Sequence, residues 1–197
     1  MPLERIQVQR RNGSERFQSR GEALPADLTG YWQWSASDLL SNATRGILAE
    51  YIVALGLGLD VSGVRDEWAA CDLLTADGVK IEVKSAAYIQ SWHQKTYSNI
   101  SFSIRESREW NPDTNELAAE VKRQADVYVF ALLAHRDQAT IDPLNLDQWR
   151  FYVAETSRIN ESLGSQATIT LSSLEKLCGE GASFSELRER VDQVAGR

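Results

Sequence analysis

The chain has 197 residues, 43% hydrophobic and 25% charged, with 21 Lys and Arg against 28 Asp and Glu and a formal net charge of −7. That length fits one ordinary domain with extensions, and the composition excludes a wholly disordered chain. The acidity argues against coating nucleic acid through bulk charge, which leaves a local basic surface or bound cations as the routes to such a partner.

Cys71 and Cys178 are too few for a disulfide scaffold or a four-thiolate zinc site, and only His93 and His135 stand beside them. No apolar run reaches membrane-spanning length and no secretory core precedes the first charged residues, so a cytoplasmic location and no membrane partner are expected.

Residues 1–35 read as a basic N-terminal arm, with Arg5, Arg10, Arg11, Arg16 and Arg20 set against Glu4 and Glu15. Such a segment is either a loose terminus or a strap over an anionic partner. Trp32 and Trp34 are placed to staple it to the domain that fills 36–197. Regular structure is expected from Ser37. Helical periodicity runs to Leu55, with Leu40, Ile47, Tyr51, Ala54 and Leu55 as the apolar stripe, Ser37 or Ser41 as the cap, and Gly56 with Gly58 as the stop.

A strand pair follows, Ala69 to Leu74 and Val79 to Ser85, about an Ala76-Asp77-Gly78 turn. Asn99 to Ile104 alternates like a strand, Arg108 to Asp113 reads as a polar loop, and Glu116 to Gln124 as a short helix. Val127 to Leu133 suits a central strand buried on both faces. Trp149 to Val153 is another strand, and Ser172 to Leu177 and Ser185 to Val194 are closing helices. The expected fold is α/β, a mixed central β-sheet flanked by helices.

The chemistry concentrates in the hairpin. A three-residue loop closed by Gly78 in the left-handed region pairs Thr75 with Val79 and Leu73 with Ile81, and sets Asp72 opposite Glu82. Lys84 then shares their face, while Leu73, Ile81 and Val83 point into a core. A two-residue Asp77-Gly78 loop would instead pair Asp72 with Val83 and separate the carboxylates. Two adjacent carboxylates repel and call for a cation, and Mg²⁺ takes oxygen ligands of this kind. A lysine beside such a metal holds or deprotonates water and balances charge in the transition state, a set suited to phosphodiester hydrolysis.

Asp72 followed by Glu82-Val83-Lys84 resembles the D…(D/E)-x-K signature of the restriction-endonuclease-like PD-(D/E)xK nuclease superfamily, with Cys71 standing where the motif's name has proline. The resemblance covers about residues 37 to 135 and implies an αβββαβ core, in which the Glu116–Gln124 helix and the Val127–Leu133 strand have counterparts. It implies a Mg²⁺-dependent endonuclease acting on nucleic acid, with DNA expected and Mn²⁺ able to substitute. Asp72, Glu82 and the Val83 backbone carbonyl would ligate the metal, and Lys84 would activate water. Glu50, on the preceding helix, would act through a bound water or a second metal; the bland reading pairs it with Arg45 or leaves it solvated. A homodimer is the natural assembly for cutting both strands of a symmetric site.

Other residues carry less. Ser85, Gln90, Trp92, His93 and Gln94 read as backbone or base contacts, or as a strand connection whose tryptophan packs on the core. Arg105, Arg108, Lys122 and Arg123 are candidate phosphate contacts, or a solvated mixed-charge surface with Glu106, Glu109 and Glu120. The chain has no G-x-x-x-x-G-K-S/T or G-x-G-x-x-G loop and no G-x-S-x-G elbow. Two rivals stand: a catalytically inactive binding or assembly module with a surface charge cluster, and a metal-dependent hydrolase of small phosphorylated substrates.

Overall fold

A computed structural model describes residues 3–196; Met1, Pro2 and Arg197, the outermost residues of the expected arm and domain, lie outside the described residues. β1 (Arg16–Ser19) and β2 (Glu22–Asp27) form an antiparallel hairpin. Its turn, Arg20-Gly21, has φ of +54° and +83°, which matches the twist of a tight two-residue hairpin. Asp27 caps α1 (Leu28–Ala36), accepting the Gly30 N–H at 2.8 Å. Regular structure thus begins at Arg16 and not at Ser37. The hairpin's residues are exposed or nearly so, so no alternation toward a core marks it in the sequence.

α2 (Asn42–Gly56) starts at Ser41, whose hydroxyl accepts the Thr44 N–H, and Gly58 lies just past its end at φ +64°. Its inward face is Arg45, Ala49, Ile52, Val53 and Ala54. The expected stripe is displaced: Ile47, Tyr51 and Leu55 are 52%, 49% and 43% exposed. Ala49, fully buried, lets the helix approach the sheet closely, and so small a side chain carries little weight in a stripe read from hydrophobicity.

β3 (Leu73–Leu74) pairs antiparallel with β4 (Lys80–Ala87). β5 (Ser101–Ser103) follows, then a second hairpin of β6 (Ser107–Asn111) and β7 (Glu116–Lys122). The expected polar loop at Arg108–Asp113 and the expected helix at Glu116–Gln124 are therefore a strand pair. Asn115 turns the chain at φ +59° and donates its N–H to the Asn111 carbonyl at 2.8 Å. Cross-strand pairing of Trp110 with Leu117 and Arg108 with Val121 overrides the helix propensity of Glu-Leu-Ala-Ala-Glu. The connection that the αβββαβ order fills with a helix is a hairpin here.

β8 (Val127–Leu133) is buried at every residue, as its apolar run requires, and β9 (Trp149–Glu155) pairs antiparallel with it. α3 (Thr156–Leu163), β10 (Thr168–Thr170), α4 (Leu171–Cys178) and α5 (Leu187–Val194) close the chain. The central sheet has the order β3-β4-β8-β9, and β4 and β8 run parallel while the other neighbours are antiparallel. It is a mixed central sheet flanked by helices, as expected. One face packs Ile81, Val83, Val129 and Phe151 on α2 and α5; the other packs Tyr128, Phe130 and Leu132 on β5, β10, α3 and α4. No helix among the described residues is long and apolar enough to cross a membrane.

Candidate active site

The hairpin register decides the site. Thr75 N–H donates to the Val79 carbonyl at 3.0 Å and Gly78 N–H to the Thr75 carbonyl at 2.9 Å, with Gly78 at φ +88°. Three residues therefore form the loop, and Leu73 lies opposite Ile81 and Leu74 opposite Lys80. Continued one residue, the same register sets Asp72 opposite Glu82. The ladder ends at Leu73, and the Asp72 carboxylate instead accepts the Val83 N–H at 2.7 Å through Oδ2. In a strand the N–H and C=O of one residue point to the same side. The Val83 carbonyl thus faces the Asp72 edge, beyond the last pair of β3.

Glu82 and Lys84 project from one face of β4 and form an ion pair, Lys84 Nζ to Glu82 Oε1. The opposite face carries Ile81 and Val83 into the core with Leu73, as expected. The Glu82 side chain is 21% exposed. Burial pushes its carboxyl above the ordinary value, and the negative charges of Asp72 and Glu50 push it further, against the pull of Lys84.

Glu50 reaches the same electrostatic neighbourhood from α2. Its partner is not Arg45. Arg65, from the loop between α2 and β3, grips it with two hydrogen bonds, Nη2 to Oε1 at 2.9 Å and Nε to Oε2. Those bonds raise the Arg65 guanidinium above its usual value, and Asp72 adds to the effect. Arg45 is buried instead and donates to the Leu40 carbonyl and to Asn42 Oδ1, both at 2.6 Å, and to Gln90 Oε1 at 3.0 Å.

Three carboxylates (Glu50, Asp72, Glu82) thus share an electrostatic neighbourhood with Lys84 and Arg65. Among the described residues no three His, Cys, Asp or Glu side chains converge to hold a metal ion together. The donor set open to Mg²⁺ is two carboxylates and the Val83 carbonyl, completed by water, which is how that ion is commonly held. Glu50, engaged by Arg65, stands next to that set as half of an ion pair.

Two neighbours of the site carry no signal in the sequence. Arg65 is one charge in a mixed-charge loop, brought in only when the chain folds. Tyr128 reads as a core aromatic, and only the parallel pairing of Glu82 with Tyr128 places it beside the carboxylates. Burial and the Glu82 charge push its hydroxyl up to about 12. Cys71 is half-buried, and burial pushes its thiol up as well.

Gln90 and Gln94 brace the connection after β4, both donating to Ser98 Oγ at 3.2 and 3.0 Å. Trp92 does not pack on the core; it is 54% exposed. Of the candidate phosphate contacts, Arg105 and Arg108 are exposed, and Lys122 is paired with Glu120 at 2.7 Å. Arg123 has no exposed side-chain surface, so it is an internal strut and not a phosphate contact.

The family model of Bacteriophage T4 endonuclease IV matches residues 26–173, three quarters of the chain. The match runs from the end of β2 into α4 and includes every residue of the candidate site. No curated protein and no solved structure matches.

Proposed function

The chain belongs to the Bacteriophage T4 endonuclease IV family, and from that premise we propose that it hydrolyses phosphodiester bonds of DNA in a Mg²⁺-dependent reaction at Asp72, Glu82 and Lys84. The observation that carries this reading is the hairpin register, which gathers two carboxylates, a free-edge carbonyl and an ammonium at one end of β3 and β4. A bound Mg²⁺ would neutralise the phosphoryl oxygens and lower the pKa of water. Asp72, Glu82 and the Val83 carbonyl would hold it. Lys84 orients the attacking water by donating a hydrogen bond to its oxygen, and its positive charge offsets the negative charge that develops on the phosphoryl oxygens, while the water's proton passes to bulk solvent. Arg65 fixes the Glu50 carboxylate and keeps that negative charge from repelling the phosphate.

The test is cleavage of labelled DNA by the full chain with Mg²⁺ and with a chelator in its place. Cleavage that needs Mg²⁺ supports the reading; undiminished cleavage in chelator overturns the metal dependence, and a chain inert with Mg²⁺ or Mn²⁺ is the binding module.

Asp72→Asn separates ligand from scaffold. Asparagine keeps an acceptor for the Val83 N–H, so stability should change by less than about 1 kcal/mol. Mn²⁺ affinity, measured by calorimetry, should fall at least about tenfold, because a charged oxygen ligand is lost. Unchanged affinity would contradict the assignment of Asp72 as a ligand.

Glu82 predicts a pH dependence. Its folded-state carboxyl is raised, so its contribution to stability is present in full below the unfolded value and is lost as pH rises through the folded one. Glu82→Gln has no such loss. The stability of the variant relative to wild type should therefore grow between about pH 4 and neutrality, read from urea unfolding at several pH values. A difference that shrinks over that range would reverse the sign assigned to Glu82.

A further inference from the structure

Glu50 is the carboxylate that α2 brings to the site, and both of its oxygens are taken. Arg65 donates from Nε to Oε2 and from Nη2 to Oε1, the second bond at 2.9 Å. One edge of the guanidinium thus faces one carboxylate, the bidentate form in which such pairs are strongest. The Glu50 side chain is 12% exposed, so water meets little of its surface. The bonds to Glu50 favour the charged form of Arg65 first, and the negative charge of Asp72 adds to them. The guanidinium is therefore within electrostatic reach of a carboxylate of α2 and of a proposed metal ligand on the hairpin.

The loop that carries Arg65 is tied down on both sides of it. Arg5 donates to Asp66 Oδ2 at 2.6 Å and lies 3.5 Å from Asp113, in the turn between β6 and β7. Arg10 donates to the Ser62 carbonyl at 2.6 Å, and Asp60 Oδ1 accepts the Ser62 N–H at 2.8 Å. Each of these exposed contacts is worth little alone, but they act on neighbouring residues of one loop. The basic arm thus straps the chain's own loop, with Asp60, Asp66 and Glu67 in it, and keeps Arg65 against α2.

Hydrolytic centres with two metal ions use the second to offset charge on the leaving oxygen. A guanidinium supplies positive charge without coordination chemistry, and it stays protonated near neutrality. A second ion at Glu50 would have to break two charge-assisted hydrogen bonds and shed part of its own water shell.

We propose that Arg65 stands in the place of a second metal ion: by occupying Glu50 it limits the centre at Asp72 and Glu82 to one divalent cation. The metal comes from the nuclease reading, on which this rests, and the count comes from the Glu50–Arg65 pair.

The test is calorimetric titration of the full chain with Mn²⁺ alone, which reads stoichiometry apart from activity. Wild type should take up about one ion per chain. Arg65→Gln frees Glu50 and should raise the number to about two, and adding Glu50→Gln to that variant should return it to the wild-type number. Arg65 lies in a loop with its side chain 38% exposed, so its replacement opens no cavity in the core. Two ions on wild type overturn the proposal without any variant. An Arg65→Gln chain with wild-type stoichiometry overturns it too, as does a gained ion that persists when Glu50→Gln is added. Each of these results leaves the nuclease reading standing where wild type cleaves DNA with Mg²⁺. A wild type that binds no Mn²⁺ and leaves DNA uncut removes the nuclease reading, and the proposal with it.

Discussion

Lys84→Ala is expected to lower the rate of phosphodiester cleavage by about 10²–10⁴-fold while the chain stays folded. The side chain is 31% exposed and its one hydrogen-bond or ion-pair partner among the described residues is Glu82, so its removal opens no cavity in the core. Two losses combine at the site. The attacking water loses the group that orients it, and the transition state loses a positive charge. Glu82 also loses the neighbour that pulls its carboxyl down, so it is protonated at a higher pH and holds a cation less well. Lys84→Arg discriminates between these effects. Arginine restores the charge but its planar fork does not set a donor where the ammonium stood, so recovery of metal affinity without recovery of rate assigns Lys84 to the water. The checks are kcat on a labelled oligonucleotide with Mg²⁺ and urea unfolding of each variant. Undiminished cleavage by Lys84→Ala would remove the mechanism.

The parts of this site that were legible in the sequence are the local ones. The turn at Ala76-Asp77-Gly78 and the apolar Leu73, Ile81 and Val83 confine the hairpin to two registers, and the structure takes the three-residue loop that pairs Leu73 with Ile81. β8 was equally plain, because seven consecutive apolar residues have no exposed side to choose. What stayed hidden depends on segments far apart in the chain. Nothing near Glu50 announces Arg65, fifteen residues on, in a loop without periodicity. The β6–β7 hairpin was concealed by a sequence whose local preference is helical and whose pairing supplies the deciding energy. The arm was concealed because a hairpin with no buried side leaves no alternating pattern.

Arg123→Ala should be strongly destabilising although it lies outside the site, costing about 3–5 kcal/mol of stability. The guanidinium has no exposed surface, and its donors are distributed in a fixed fork. Nε donates to the Ile104 carbonyl at 2.8 Å, just past β5, and Nη2 to the Gly164 and Gln166 carbonyls at 2.9 and 3.0 Å, between α3 and β10. Nη1 donates to Asn160 Oδ1 in α3, and Glu106 lies 3.7 Å away as the nearest carboxylate.

One side chain thus links the end of β5 to the turn that brings β10 alongside it, and alanine leaves three carbonyls without that donor in a space water does not freely enter. Arg123→Lys should recover only part of the loss, since a single ammonium cannot follow a planar fork to acceptors on different segments. The midpoint of urea unfolding reads both effects. If Arg123 instead served as a phosphate contact, the alanine variant would unfold near the wild-type midpoint and bind DNA more weakly with a shallower salt dependence. A guanidinium with every donor turned inward predicts the opposite pattern, a large shift in the midpoint and an unchanged salt slope for whatever fraction remains folded.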